Sequence, residues 1–356
     1  MATRYTITKR HKALEVAMPT FEDFVTEPAG EISVEELLKS NWSPYCFANG
    51  VVTFAKLDGD LAKAAFVYLT QFRDAVELAQ VDASDLIVAT EKLPMPKMAI
   101  IYSTGRCGTT LANHVLNGSD EIWCLSEPDV LDDVAQWDGA ERADLMQALA
   151  KVFFAMRAKE TAHTLGVKLR SQSLFCAAAF EEAYPEARNI FMYRDAIGWA
   201  NSIYAFIGKF GFSAPYHAAI RDEIWTTMFR EPTCELMKNP DMAGDEIDPA
   251  RLFAYGWLRQ LGMYAEMQAA GMKFHPIRYN EFNVDRLEGA RDLMRACGLS
   301  GDAAEAALAA FESDSQAGTF MGKGDAPLRL SDVQKDAARN VLSKHPVFSD
   351  AGHILS

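Results

Sequence analysis

The sequence predicts an α/β fold in which a parallel β-sheet is flanked by helices on both faces. Short apolar runs of strand length recur through the middle of the chain, and Ala- and Leu-rich segments of helical periodicity separate them. This alternation implies crossover connections and therefore a parallel sheet. The predicted strands cover residues 98–102, 122–125, 166–169, 189–193 and 273–279.

The predicted helices follow the same alternation. Apolar residues at helical spacing place helices between the strands, and a helical C-terminal region follows the last strand, with Gly298 and Gly301 as helix-ending residues. The predicted helices cover residues 111–116, 145–156, 175–183, 252–268, 285–297, 302–311 and 331–342.

The first 95 residues differ from this pattern and predict a small α+β N-terminal module. A hairpin turned at Asn49-Gly50 is expected within 45–54, followed by a helix from about 61 to 79. Two prolines within 91–97 mark the boundary. We therefore predict an accessory module over 1–95 and the main domain over 96–356. The module's aromatic residues are expected in its core: Trp42, Tyr45, Phe47, Phe54, Phe66, Tyr68 and Phe72.

Composition limits the classes of partner. The 356 residues are 49% hydrophobic and 24% charged, as in soluble globular proteins. There is no apolar run of about eighteen residues and no apolar leader, so a cytoplasmic protein is expected, although basic residues before Glu15 leave a transit segment open. The net charge of −14 argues against nucleic acid and anionic membrane as partners. A bound anion would need a local basic pocket.

Metal and disulfide sites are not predicted. The six cysteines form no Cys-x-x-Cys pair, and the seven histidines lack ligand spacing. The acidic run Asp129, Asp132 and Asp133 has the spacing of a solvated helix face. His114, alone on its helix, is expected to pack or hydrogen-bond locally.

The strongest local motif runs from 100 to 111, where a strand passes through Gly105 and Gly108 into a helix. Such a turn aims the amides of Cys107 to Thr110 at an anion from a helix N-terminus. The loop of nucleoside-triphosphate enzymes carries a lysine where this chain has Thr109, and the only cation here is Arg106. The motif therefore predicts a phosphate cradle but disfavours a kinase or an ATPase.

The loop Arg106-Cys-Gly-Thr-Thr-Leu111 resembles the Arg-Ser-Gly-Thr-Thr-Leu of sulfotransferases that use 3′-phosphoadenosine 5′-phosphosulfate (PAPS). The resemblance implies a P-loop-like sulfotransferase fold and PAPS as co-substrate, with no metal. It places Arg106, Cys107, Gly108, Thr109 and Thr110 at the donor's phosphate. Cys107 replaces the family's serine, so we interpret it as a near-isosteric residue rather than a nucleophile.

Arg194 and Ser202 resemble a second signature of the family. In the family, an arginine that ends a strand and a serine two turns along the next helix hold the 3′-phosphate. Physically, an arginine and a serine so placed can converge on one phosphate through paired hydrogen bonds. The resemblance therefore assigns Arg194 and Ser202 to donor binding.

The candidate catalytic residues also rest on the resemblance. Glu127 matches the general base of the tyrosylprotein branch; the alternative is a carboxylate that caps a helix. Lys168 matches a lysine near the bridging oxygen in cytosolic members. Those members have a histidine where this chain has Arg170, which shifts the predicted base to Glu127.

Two late segments resemble nucleotide contacts of the family. Residues 276–282 match a strand and turn whose tyrosine, here Tyr279, packs near the adenine. Residues 314–324 are similar to a glycine-rich segment that closes over the nucleotide, with Ser315 and Lys323 as phosphate contacts. A solvated loop is the alternative for this segment.

Together these residues predict sulfuryl transfer from PAPS to a hydroxyl, or less favourably an amine, of a small-molecule acceptor. Glu127 would act as the base, and Arg106 and Lys168 would stabilise the leaving phosphate. A P-loop kinase of small metabolites and a nucleotide-binding protein without catalysis remain alternatives. The acceptor and the role of the N-terminal module stay open, and a homo-oligomer is possible.

Overall fold

The computed structural model of the chain describes residues 1–12, 14–39, 41–212, 214–229, 244–322 and 328–355. Two five-stranded sheets organise this part of the chain, one antiparallel and one parallel. The strands are β1 (Ala2–Arg10), β2 (Phe24–Ile32), β3 (Trp42–Ala48), β4 (Val51–Lys56), β5 (Glu77–Asp82), β6 (Lys97–Ser103), β7 (Ile122–Ser126), β8 (Thr164–Lys168), β9 (Arg188–Tyr193), β10 (Tyr216–His217), β11 (Glu246–Ile247) and β12 (Phe274–Arg278).

The helices alternate with the strands of the second sheet. Short 3-10 helices at Phe21–Asp23, Leu61–Lys63, Ser171–Cys176 and Leu308–Glu312 accompany them. The α-helices are α1 (Val34–Lys39), α2 (Val67–Asp74), α3 (Ala83–Thr90), α4 (Thr109–Leu116), α5 (Val130–Ala135), α6 (Arg142–Ala155), α7 (Ala177–Ala183), α8 (Ala196–Gly208), α9 (Ala218–Phe229), α10 (Pro249–Ala269), α11 (Tyr279–Val284), α12 (Arg286–Ala296), α13 (Ala304–Ala307) and α14 (Asp332–Leu342).

The parallel sheet confirms the predicted fold class. Its strand order is β12-β9-β6-β8-β7, and every neighbouring pair is parallel. All five predicted strands are present within one or two residues of their predicted ends. The predicted helices correspond to α4, α6, α7, α10, α12, α13 with the 3-10 helix that follows it, and α14.

Strand β6 shows why the sheet must be covered on both faces. Ile100 and Tyr102 pack into one hydrophobic cluster, whereas Ala99 and Ile101 pack into a second one on the opposite face. This alternation follows from the two-residue period of a strand. A parallel strand buried on both faces is apolar throughout, which explains the continuous apolar runs in the sequence.

The N-terminal sheet is antiparallel with the order β2-β1-β5-β4-β3. The hairpin at Asn49-Gly50 forms as predicted, and both turn residues have positive φ. Its core joins the first cluster of the parallel sheet without a break. The predicted boundary at 91–97 lies between α3 and β6, and the division of the chain at residue 95 stays a prediction.

The predicted helix from about 61 to 79 is wrong in its second half. Helix α2 ends at Asp74, and β5 follows as the strand between β1 and β4. A strand at this place pairs on both sides and buries Leu78, Ala79 and Val81. Pairing with β1, more than seventy residues earlier in the chain, overrides the local helical preference.

The N-terminal sheet is held to the parallel sheet by side-chain hydrogen bonds. Trp123 on β7 donates from Nε1 to Asp60 Oδ1 at 3.0 Å. Asn117 at the end of α4 donates to the carbonyl of Ala62 at 3.1 Å. In the part of the chain that the structure describes, no helix is long and apolar enough to cross a membrane.

We expect Ile101→Ala to lower the free energy of unfolding by about 2–5 kcal/mol, because it leaves a cavity beneath the loop at the end of β6. Ile101 is fully buried, whereas Ile354 is 65% exposed. Ile354→Ala therefore serves as the matched control and should change the value by less than about 0.5 kcal/mol. Urea denaturation checks both. Equal losses in the two variants would contradict the assigned core.

Candidate functional site

The loop between β6 and α4 has the conformation of an anion cradle. Gly105, Arg106 and Gly108 all have positive φ, and α4 begins directly after Gly108. The first amides of a helix have no partner within the helix, so they are available to an anion. Trp199 of α8 fixes the loop by donating to the Thr104 carbonyl at 2.8 Å.

Tyr279 lies against the backbone of this loop. A Cβ added at Gly108 would be 2.6 Å from ring atoms Cδ2 and Cε2 of Tyr279. Gly105 is similarly close to Ser171, at 2.8 Å from that residue's Cβ. Glycine is needed at these two positions both for φ and for space.

Cys107 faces the protein interior rather than the cradle. Its thiol is fully buried and donates to the Met192 carbonyl at 3.3 Å. Burial raises the pKa of this thiol, so it stays protonated and unreactive. Only the backbone amide of Cys107 is then available to a ligand, which agrees with our interpretation of this residue as a replacement for serine.

Arg106 and Ser202, predicted to share the donor site, are in contact. Arg106 donates from Nε to Ser202 Oγ at 3.2 Å, and its guanidinium lies 5.7 Å from the centre of the Phe206 ring. Burial and then the positive charge of Arg194 lower the pKa of Arg106. Arginine stays charged in spite of this shift, so the two guanidinium groups repel each other across the site.

Arg194 lies between α8 and Tyr279 and lacks a hydrogen-bonded carboxylate in the described part of the chain. Its guanidinium is 4.9 Å from the centre of the Tyr279 ring. The Asp195 carboxylate is 3.9 Å from Arg194 Nε and accepts instead from the Gly198 amide and from Asn280. Arg194 Nε is buried without a hydrogen-bond partner among the described residues. A buried, unsatisfied cationic donor is typical of a site that receives an anion.

Glu127 and Lys168 occupy the same sheet edge on neighbouring strands. Ser126 pairs with Lys168 in the sheet, and the Glu127 amide donates to the Lys168 carbonyl at 2.7 Å. The Lys168 ammonium donates directly to Glu127 Oε1. Glu127 has a positive φ of 57°, which is unusual for a residue with a side chain. Its side chain is 13% exposed, so it is mostly but not completely buried.

Arg170 is neutralised by Asp129. Its Nε donates to Oδ1 and Oδ2 of Asp129 at 2.9 Å each, and its Nη2 donates to Oδ2 at 2.5 Å. Burial alone lowers the pKa of Arg170, but the carboxylates of Asp129 and Glu127 outweigh it and raise that pKa. The guanidinium is therefore a permanent charge.

The expectation of a solvated acidic face at 129–133 is wrong for two of its three residues. Asp129 and Asp132 are buried, and Asp132 accepts from Ser173 Oγ at 2.5 Å. Asp133 accepts from the Phe47 amide at 3.2 Å. These carboxylates accept hydrogen bonds from donors on neighbouring elements. The spacing of the acidic residues along the chain could not show that such donors lie nearby. Within the described residues, no group of three or more His, Cys, Asp and Glu side chains could hold a metal ion.

Two aromatic rings of the N-terminal segment lie on the cations of this edge. The Lys168 ammonium is 5.4 Å from the centre of the Phe66 ring, and the Arg170 guanidinium is 4.2 Å from that of Tyr68. Phe66, Tyr68 and Leu69 form a small separate cluster, against which Met321 packs. Six of the seven N-terminal aromatic residues are buried as expected and Phe72 is partly buried, and two of the buried rings also lie against Lys168 and Arg170.

The segment 314–322 lies over the cradle and contacts three elements. Gln316 donates to Thr110 Oγ1 at 3.3 Å, and the Lys209 ammonium donates to the carbonyls of Phe320 and Gly322 at 2.9 and 2.8 Å. Arg73 of α2 donates to the Gly318 carbonyl at 3.1 Å.

The remaining candidate residues lie in or next to this segment in the sequence, or on α4. Ser315 is half-buried next to Gln316. Lys323, the other predicted phosphate contact, lies outside the described residues. Thr109 and Thr110 are buried at the start of α4. His114 Nε2 is buried without a hydrogen-bond partner in the part of the chain that is described.

The structure thus collects the predicted residues into two neighbouring groups. Arg106, Arg194, Ser202 and Tyr279 surround the cradle, and Glu127 with Lys168 lies at the adjoining strand ends. Sequence reasoning missed the counterion Asp129. A signal existed: an arginine that ends a buried strand needs a carboxylate, and Asp129 follows the predicted neighbouring strand. The rings of Phe66, Tyr68 and Phe206 carried no local signal of their positions.

Comparisons with known proteins give distant structural similarities. No protein-family model matches the chain, and no curated protein matches it either. A sulfotransferase from Alicyclobacillus acidocaldarius is similar at 18% identity and a TM-score of 0.39, over 70% of this chain and 91% of that one. The sulfotransferase STF9 from Mycobacterium avium is similar at 10% identity and a TM-score of 0.38, over 74% and 73%. The function proposed below therefore depends on the side chains of this chain.

We expect Gly108→Ala to destabilise the fold more than the strain of a left-handed residue explains. Gly50 has a similar φ of 79° with nothing near its Cβ, so Gly50→Ala reports that strain alone, about 1–2 kcal/mol. The added methyl at 108 also collides with the Tyr279 ring. Urea denaturation should show a larger loss for Gly108→Ala, and Tyr279→Ala in the same chain should remove the excess. Equal losses of unfolding free energy in Gly50→Ala and Gly108→Ala would contradict the contact between the Tyr279 ring and Gly108.

Proposed function

We propose that the protein is a sulfotransferase that moves a sulfuryl group from PAPS to a hydroxyl group of a small-molecule acceptor. The observation that carries the proposal is the pair Arg106 and Arg194, two cations beside the cradle to which no carboxylate of the described residues is hydrogen-bonded. Arg106 binds Ser202, and Arg194 retains a buried Nε without a hydrogen-bond partner among the described residues. Two guanidinium groups that repel each other are stabilised by an anion placed between them.

The donor's two phosphate-bearing ends fit two parts of the site. The 5′-phosphosulfate end suits the α4 amides, Thr109 and Thr110, because a helix N-terminus favours negative charge. The 3′-phosphate suits Arg194 and Ser202, because a guanidinium fork can form paired hydrogen bonds with phosphate. Tyr279, already against the loop, offers a ring for the adenine. Arg194 and Ser202 would then select a 3′-phosphorylated nucleotide over an ordinary one.

The transfer step needs a base for the acceptor and a positive field for the leaving group. The acceptor oxygen would form a bond to sulfur as the bond from sulfur to the phosphate oxygen breaks, and Glu127 would take the acceptor proton. Arg106, Lys168 and the loop amides would stabilise the charge that grows on the phosphate. Lys168 contacts Glu127 directly, so leaving-group cation and base lie side by side.

The charge balance of the catalytic edge favours a neutral acceptor. Lys168 faces Glu127, and Arg170 faces Asp129, so these two cations are compensated. The rings of Phe66 and Tyr68, which are themselves buried, lie against these cations. An anionic acceptor would find no surplus positive charge among these residues, whereas a neutral alcohol or phenol needs none.

Arg194→Ala should abolish tight binding of 3′,5′-bisphosphoadenosine, with a loss of at least tenfold in affinity because a charge-assisted phosphate contact disappears. Calorimetric titration measures this. Arg188→Ala is the matched control, since Arg188 begins the same strand at the opposite edge of the sheet and should leave binding unchanged.

The same titration separates the proposal from its alternatives. Wild type should bind the bisphosphate and show no comparable binding of ATP with Mg²⁺. A preference for ATP with Mg²⁺ would favour the kinase, and binding of the bisphosphate with no transfer from PAPS to any of a panel of alcohols, phenols and amines would favour the non-catalytic protein.

Glu127→Gln should lower turnover by about two to four orders of magnitude, the range for a lost general base, and leave bisphosphate affinity within about threefold of wild type. Glu121→Gln provides the control, because Glu121 precedes β7 at the opposite edge and binds Ser300. Transfer from PAPS to the best alcohol or phenol found in a screen is the assay. Near-normal turnover in Glu127→Gln would exclude this residue as the base.

A further inference from the structure

We propose that Asp129 and Arg170 are positioning residues that keep Glu127 an effective base by presenting it with a neutral pair instead of a bare cation. The inference rests on the proposed function, because it takes Glu127 to be the base. Neither residue needs to touch the acceptor or the donor for this role.

The first step of the argument is that Arg170 is closed to ligands. Each of its three guanidinium nitrogens has a partner within the chain: Nε and Nη2 donate to Asp129, and Nη1 donates to the Val16 carbonyl at 2.7 Å. The Tyr68 ring covers one face of the guanidinium at 4.2 Å. Asp129 has no exposed side-chain area. Because each guanidinium nitrogen already has a partner, Arg170 is fixed in position and is not available to bind substrate.

The second step is that this fixed charge lies close to Glu127. Arg170 Nε is 3.8 Å from Glu127 Oε2, whereas Lys168 contacts the other oxygen, Oε1. The charged and titratable groups that face Glu127 are therefore Lys168 and Arg170 from the β8 region, Asp129 from its own loop and Tyr68 from α2. Asp129 is the nearby negative charge in this set.

The third step is the consequence for proton transfer. With Asp129 charged, Arg170 contributes little net field, and Lys168 is the one cation of this set whose charge is balanced by Glu127 itself. Without that charge, two cations would face Glu127 and favour its ionised form, so the carboxylate would accept a proton less readily. A weaker base gives a slower proton transfer in the transition state. Asp129 therefore controls the basicity of Glu127 from its buried position beside Arg170.

A purely structural role is the competing explanation. Arg170 also binds the Val16 carbonyl and the Tyr68 ring of the N-terminal segment, and Asp129 holds Arg170 in place, so loss of either residue could act through stability alone. The two explanations differ in the pH profile of turnover, because a stability change lowers activity without moving the pH at which Glu127 protonates.

The test is the pH dependence of kcat with PAPS and a fixed alcohol or phenol acceptor. If Glu127 is the base, turnover of the wild type should fall at acid pH along a limb that Glu127→Gln abolishes. Asp129→Asn keeps the side-chain shape and removes the charge, so its acid limb should move to lower pH by about one unit. Its plateau kcat should fall about three- to tenfold, with the KM for PAPS unchanged. Asp132→Asn removes another buried carboxylate, bound to Ser173, and should leave the limb in place.

The double variant Asp129→Asn/Arg170→Gln makes the result decisive. It replaces the ion pair with two neutral polar side chains of similar shape, so the net charge facing Glu127 returns to that of wild type and the acid limb should return with it. Replacement of a buried ion pair by a neutral pair is tolerated far better than removal of one partner. If Asp129→Asn does not fold, Arg170→Gln is compared with wild type and with the double variant. Its acid limb should move to higher pH, because the negative charge of Asp129 then lies beside Glu127 without Arg170.

The outcomes separate this inference from the proposed function. An acid limb that is absent from wild type, or that persists in Glu127→Gln, would overturn the assignment of the base. A limb that depends on Glu127 but stays at the same pH in Asp129→Asn would overturn the positioning role alone. Urea denaturation and bisphosphate titration of each variant show whether fold and donor site are intact.

Discussion

The site depends on one constraint, that the five strands of the central sheet run in the same direction. Parallel strands bring all their carboxyl ends to one edge, where ligands of open α/β sheets bind. Each group of candidate residues follows a strand end within a few positions: the cradle after β6, Glu127 after β7, Arg170 after β8, Arg194 after β9 and Tyr279 after β12. Helices on both faces, with two separate hydrophobic clusters, keep the strands in this register.

Charge is distributed unevenly along this edge, so its two sides differ in electrostatic character. At β6 and β9, Arg106 and Arg194 lack hydrogen-bonded carboxylates among the described residues, so this side suits an anionic donor. At the ends of β7 and β8, Lys168 and Arg170 each have a carboxylate partner, so this side carries no surplus positive charge among these residues. Buried ion pairs add little stability by themselves. In the proposed reaction, their role is to fix charges in place beside Glu127.

The N-terminal sheet is part of this arrangement because it shares a continuous core with the parallel sheet, and α2 and the residue before it contact Lys168 and Arg170. Its aromatic rings cover the cations of β8, and Arg73 binds the segment that lies over the cradle. Phe206 connects the same segment to Arg106, since its ring contacts both Phe320 and the Arg106 guanidinium. Donor cradle, overlying segment and N-terminal rings are thus one connected set of contacts.

The sequence by itself determined the parallel sheet, most of its helices and the glycine-rich loop between β6 and α4, because apolar periodicity and glycine-rich turns are local properties of the chain. Only the tertiary structure decided the strand β5, the pairing of Asp129 with Arg170 and the placing of Phe66 and Tyr68 on the site's cations. Each of these joins residues tens of positions apart. Their partners are selected by burial and charge neutralisation, which act through space and leave no periodic trace along the chain.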